Sequence, residues 1–338
     1  MSAVRERPVV LPIGADHVFA IVTEPDRANA ASAAGVGRAG IVLLTRPRAH
    51  RNRMWVDAAR AMAASGFTVI RFDYHGEGDS TGTPRYLNPE TPYGEEAAAV
   101  ARYLVEKEGV QRVGIVGSCF DARTALAAIH DAPAYGALVF MSAPVLDDRG
   151  EMERIVAERD LAHYARRLRE PGAWRALLSP GRLAIAARVL LARAGRRLGL
   201  GGRRESNGGA PREARDAASS PAAPAASAAA TAPAAPAASV SAGFVRDFRA
   251  LVARRVPTLF LYGDLDTQYP GFQIAMEQEL ARLSADERAR LEFAVLDGEA
   301  HGYLSIAIQR AIVERTTSWL TRTLSDAGGA DAPRPAEA

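Results

Sequence analysis

This chain has very little that can be cross-linked or acylated. Among its 338 residues there is one cysteine, Cys119, so an internal disulfide is excluded. Lysine is nearly absent. Of the 42 basic residues only Lys107 is a lysine, and the plainer reading of the rest is a coding bias that favours arginine and alanine. Aromatic residues make up 7% of the chain. No uninterrupted apolar run approaches the roughly 18 residues of a membrane span, so no integral membrane segment is expected. The first twelve residues lack the apolar stretch of a secretory signal, and the expected location is cytoplasmic. A net charge of +3 is too small to argue for nucleic acid. With one cysteine and scattered histidines no metal site is visible, and no nucleotide-type phosphate loop is present, so no cofactor is expected.

Hydrophobic residues at 48% and charged residues at 24% suit a globular chain with a sizeable core. The first half alternates strand and helix signals. Strands are predicted at 9–13, 17–23, 41–45, 67–72, 112–116 and 137–141. Helices are predicted at 53–65, closed by Gly66, at 91–108, closed by Gly109, and at 121–130. Such alternation implies parallel βαβ units and a sheet covered on both faces. The pattern breaks after Leu146. Residues 147–249 read as a helical insertion, with an Ala/Pro/Ser segment at about 207–243 that has little to bury and is expected to be disordered. The sheet pattern resumes with a strand at 256–262, a helix at 268–282, a strand at 291–296 and a final helix at 305–324. The expected organisation is therefore a core at 1–146, an insertion at 147–249, the rest of the core at 250–325 and a disordered tail at 326–338.

The chemistry concentrates at Val113-Gly114-Ile115-Val116-Gly117-Ser118-Cys119-Phe120-Asp121-Ala122, a strand entering a sharp turn and then a helix. This segment resembles the nucleophile elbow of the α/β-hydrolase superfamily, where small residues two before and two after the nucleophile make room for the turn. With Cys119 at the apex, Gly117 fits and Asp121 departs from the pattern. The rival Ser118 would be flanked by Val116 and Phe120, both too bulky. A second stretch, Arg71-Phe72-Asp73-Tyr74-His75-Gly76-Glu77-Gly78-Asp79-Ser80-Thr81-Gly82, resembles the loop after the fourth strand in the lipase and serine-aminopeptidase-like branch; His75 is read as structural there. The resemblance covers about 36–145 and 250–323. It implies an α/β-hydrolase fold, with a mostly parallel sheet, helices on both faces and a helical cap insertion.

The same resemblance implies the order nucleophile, acid, histidine. The acid is then Asp266 in Gly263-Asp264-Leu265-Asp266, with Asp264 as fallback, and the histidine is His301 in Gly298-Glu299-Ala300-His301-Gly302. The helix after Cys119 should aim its N-terminal N–H groups at the sulfur and lower its pKa. The Phe120 N–H is expected to form half of an oxyanion hole. The other half usually follows a His-Gly pair. Here the loop reads Thr45-Arg46-Pro47-Arg48-Ala49-His50-Arg51-Asn52-Arg53, so Arg46 or Arg48 must supply it. Arg46, Arg48, Arg51 and Arg53 together suggest an anionic group on the substrate, against the plainer reading of a solvated basic loop.

A cysteine at the elbow resembles dienelactone hydrolases, polyhydroxyalkanoate synthases and cysteine-type thioesterase domains. Three functions are compatible with this. One is an esterase or thioesterase working through an acyl-Cys119 intermediate. Another is an acyltransferase or cyclase using carrier-protein or CoA thioesters. The third is a non-catalytic binding protein. The basic amphipathic segment 181–200 could dock an acyl-carrier protein, a CoA phosphate or an anionic membrane surface, though a lid helix over the site is the preferred reading.

Overall fold

The computed structural model describes residues 4–25, 38–46, 53–84, 92–147 and 240–325. The chain opens with a hairpin: β1 (Val4–Ile13) and β2 (Asp16–Pro25) pair antiparallel from Val4↔Pro25 to Ile13↔Asp16. Both strands are longer than their apolar patterns predict. The added residues are stabilised by charge rather than burial, with Arg5 and Arg7 both bonded to Glu24 across the pair at 2.6 and 3.2 Å.

Strands and helices then alternate: β3 (Ala39–Leu44), α1 (Met54–Ala64), β4 (Thr68–Phe72), α2 (Gly94–Glu108), β5 (Arg112–Ser118), α3 (Phe120–Ala127) and β6 (Tyr135–Met141). After the undescribed stretch come α4 (Ala242–Ala253), β7 (Thr258–Gly263), α5 (Tyr269–Leu280), the short α6 (Ala285–Arg288), β8 (Leu291–Leu296) and α7 (Ile306–Leu324). The sheet runs β1-β2-β4-β3-β5-β6-β7-β8. β2 is antiparallel to β4, and every pairing from β4 through β8 is parallel.

Strand alternation splits the core in two. Val42, Leu138, Phe140, Phe260 and Tyr262 point to the face covered by α2, α3, α4 and α5. Ile41, Leu43, Val139, Met141, Leu259 and Leu261 point to the face covered by α1 and α7. Near-continuous apolar strands are what a sheet buried on both sides requires. On the first face Phe140, Phe244, Phe248, Phe260 and Phe272 interlock, with Phe140 and Phe260 centred 5.5 Å apart. Each such side chain contributes about 1.5–3 kcal/mol by leaving water.

One boundary differs from the sequence reading. α4 starts at Ala242, so the core is re-entered at Val240 rather than at 250. Ser241 caps the helix by accepting the Phe244 N–H, and Phe244, Phe248 and Leu251 seat it in the core. The Ala/Pro/Ser composition upstream hid this start. The rest of the insertion, including segment 181–200, and the tail lie outside the described residues. No helix among the described residues is long and apolar enough to cross a membrane.

Candidate active site

The C-terminal ends of the parallel strands meet at one edge, the usual place for a site in an open α/β sheet. A cavity of about 420 Å³ opens there, lined by Leu44, Thr45, Arg46, Trp55, Ser118, Cys119, Phe120, Asp121, His301, Gly302 and Tyr303. β3, β5 and the loop after β8 thus bring Arg46, Cys119, Phe120 and His301 together.

Cys119 stands between β5 and α3 with φ 56° and ψ −125°, a conformation L-residues rarely adopt. Its N–H donates to the Met141 carbonyl at 2.9 Å, pinning the turn to β6. Gly117 is required by close approach, since a Cβ there would strike the Asp121 carbonyl. The rival Ser118 is the last residue of β5 and is buried, and its Oγ accepts the hydroxyl proton of Tyr303. The sharp apex is therefore at Cys119.

The expected lowering of the thiol pKa is corrected by the structure. Burial dominates and pushes Cys119 up to about 11. The Phe120 N–H works in the opposite direction, and the carboxylates of Asp121 and Asp266 add to the rise. One helix N-terminus does not outweigh desolvation plus two nearby negative charges.

Asp266 is buried in the loop after β7. Its Oδ1 accepts the backbone N–H of His301 at 2.8 Å. Its Oδ2 accepts the Ser142 hydroxyl at 2.5 Å and the Gly263 N–H at 2.8 Å. The acid therefore holds the histidine loop through its main chain. Asp264 does a different job: its Oδ1 accepts the Gly298 N–H at 2.7 Å and ties down the start of that loop. Ser142 escaped the sequence reading. It directly follows β6, and the only available signal was a hydroxyl at a strand's C-terminal end. Tyr303 was missed too. It is buried in left-handed backbone at φ 50°, its ring meeting Trp55 edge-on at 6.2 Å.

The two departures from the elbow and oxyanion-loop patterns are one feature. Arg46, on the loop lacking His-Gly, donates from Nε to Asp121 Oδ1 at 2.9 Å and from Nη1 to Glu77 Oε1 at 2.8 Å. Its guanidinium lies over the rings of Tyr74 and Tyr93, 4.0 and 4.5 Å from their centroids. Asp121 is thus not a misplaced bulky residue but the partner of Arg46. Of the four arginines expected around the pocket mouth, only Arg46 and Arg53 are described. Arg46 pairs through Nε and Nη1 with carboxylates, and Arg53 is exposed at the start of α1, apart from the residues lining the cavity. Arg48 and Arg51 lie outside the described residues. His75 pairs through Nδ1 with the buried Glu96, a structural arrangement. No cluster of metal-ligating side chains occurs among the described residues.

A family described as serine aminopeptidase, S33, matches residues 37–188, less than half of the chain. An esterase from Pyrococcus furiosus is 11% identical over 96% of this chain and 94% of its own, with a TM-score of 0.51. A proline iminopeptidase-related protein from Thermus thermophilus is 20% identical over 95% of this chain and 99% of its own, with a TM-score of 0.45. Among curated proteins none matches. The sheet order and the strand-to-helix elbow, together with the likeness to the esterase, identify the architecture of this chain as the α/β-hydrolase fold.

Proposed function

We propose that the protein is an acyl hydrolase of the esterase or thioesterase type, acting through an acyl-Cys119 intermediate. The observation that carries this reading is Cys119 at φ 56°, at the apex of the elbow, in one cavity with His301. A thiol with a pKa near 11 needs a base. His301 takes the Cys119 proton as the sulfur bonds to the acyl carbon. The resulting oxyanion is held by the Phe120 N–H and by an N–H from the Thr45–Arg46 segment. His301 then returns the proton to the departing alcohol or thiol. Water, deprotonated by His301, cleaves the acyl-sulfur bond and restores the thiol. Asp266 fixes the histidine loop throughout.

Leu44, Trp55, Phe120 and Tyr303 offer apolar surface, while Arg46 is already neutralised. An uncharged acyl group suits that lining. An alcohol or amine in place of water would make the same intermediate an acyl transfer or cyclisation. A carrier protein or CoA would then be the acyl donor.

Intact mass after mixing with a panel of acyl thioesters and activated esters tests the reading. A single acyl adduct is expected in wild type, absent from Cys119→Ala and longer-lived in His301→Ala. Each substitution should lower turnover at least about a thousandfold. Turnover that survives in Cys119→Ala refutes the cysteine mechanism. No adduct and no turnover across the panel favours a non-catalytic binding protein. Adding an amine or alcohol acceptor separates hydrolysis from transfer.

A further inference from the structure

The pairing of Arg46 with Asp121 joins the two segments that must line up around the reacting carbonyl. Arg46 belongs to the loop after β3, and Asp121 is the second residue of α3, directly beyond Phe120. Both side chains are largely withdrawn from water, 14% and 10% exposed, and both line the cavity that holds Cys119. At such burial a lone carboxylate two residues from the nucleophile would oppose a negative sulfur, with little screening.

We infer that Arg46 and Asp121 are positioning residues that set how readily Cys119 becomes a thiolate, with Arg46 offsetting part of the carboxylate charge that opposes a negative sulfur. This rests on Cys119 being the nucleophile. The other groups facing the sulfur are Asp266 and Tyr262 from β7 and its loop, and His301 and Tyr303 from the loop after β8. Around Arg46 stand Glu77, Tyr74 and Tyr93. Among these the Arg46–Asp121 pair is the salt bridge adjoining the elbow, so changing either end alters the charge felt by the sulfur in opposite directions. Glu77 keeps part of the guanidinium in place when Asp121 is replaced. The arrangement accounts for an acidic residue where the fold ordinarily has a small neutral one.

Because the chain has one cysteine, alkylation by iodoacetamide reports Cys119 alone. Its rate, followed by intact mass between about pH 7 and 9, scales with the thiolate fraction. At a fixed pH in that range Asp121→Asn is expected to react about tenfold faster than wild type and Arg46→Gln about tenfold slower. The double variant Arg46→Gln/Asp121→Asn is expected at or above the wild-type rate. A purely structural brace would move both single variants in the same direction, and that result overturns the inference, as does an unchanged rate in both. If Arg46→Gln fails to fold, a slower or unchanged Asp121→Asn overturns it. If Asp121→Asn fails, a double variant slower than wild type does so. Failure of all three to fold shows a brace and also overturns it. Alkylation is independent of turnover. A loss of the nucleophile reading, seen as activity persisting in Cys119→Ala, is thereby distinguished from a failure of this one.

Discussion

The elbow and the histidine loop are held in place by different balances of packing and hydrogen bonding. The elbow is set mainly by packing, with the bond from the Cys119 N–H to the Met141 carbonyl beside it. α3 behind Cys119 buries Ala122, Ala125 and Leu126 almost completely, and Gly117 leaves no room for a side chain against the Asp121 backbone. The histidine loop buries Ala300 and Tyr303 but is flanked by exposed Leu265 and Leu304. Its backbone packs against Gly263, where a Cβ would strike the Gly298 carbonyl, and it is otherwise fastened by hydrogen bonds from Gly298 to Asp264, from Leu265 to Gly298 and from His301 to Asp266. A residue placed by packing moves only when the fold moves. One placed by a few hydrogen bonds can shift by an ångström while the protein stays folded, and such a shift damages catalysis.

The largest contrast is therefore in stability. Gly117→Ala forces a Cβ into backbone and is expected to cost about 3 kcal/mol, read from the urea midpoint. Gly298 also has positive φ, at 108°, but a Cβ there meets nothing nearer than Ile308 Cδ1 at 3.7 Å. Gly298→Ala is expected to cost about 1 kcal/mol of backbone strain. Equal losses would break the distinction. Next in size, Asp264→Ala removes the acceptor for the Gly298 N–H. A fall of about tenfold in kcat/KM is expected, alongside about 1 kcal/mol of stability. A loss in stability alone would mean that the bond does not position His301.

How far the sequence carried this can be judged from the same two regions. Apolar strand runs and the Gly-x-Cys turn are local signals, so the parallel sheet, the elbow and the strands beside Asp266 and His301 were legible. Charge-stabilised strand ends such as Arg5 to Pro8 were not, because nothing apolar marks them. The start of α4 was masked by the alanines before it. The partnership of Arg46 with Asp121, 75 residues apart, and of Ser142 with Asp266, 124 apart, exists only once the strands align. Read singly, Arg46 suggested a free cation and Asp121 a defect. The Cys119 pKa went the wrong way for the same reason. A helix N-terminus can be read from sequence, but the burial and the two carboxylates that outweigh it cannot.

Ser142 offers the finest probe, because it touches both regions. It follows β6, whose Met141 carbonyl accepts the Cys119 N–H, and its hydroxyl reaches across to Asp266. In Ser142→Ala the carboxylate keeps the two backbone donors Gly263 and His301 at 2.8 Å each. It should therefore stay in place and keep the histidine loop attached. The expected loss in kcat/KM is about threefold, smaller than that of Asp264→Ala, with Cys119 alkylation at fixed pH changed by less than that factor. A loss larger than that of Asp264→Ala would mean that the elbow and the histidine loop are positioned as one unit through this hydroxyl, not as two regions by separate means.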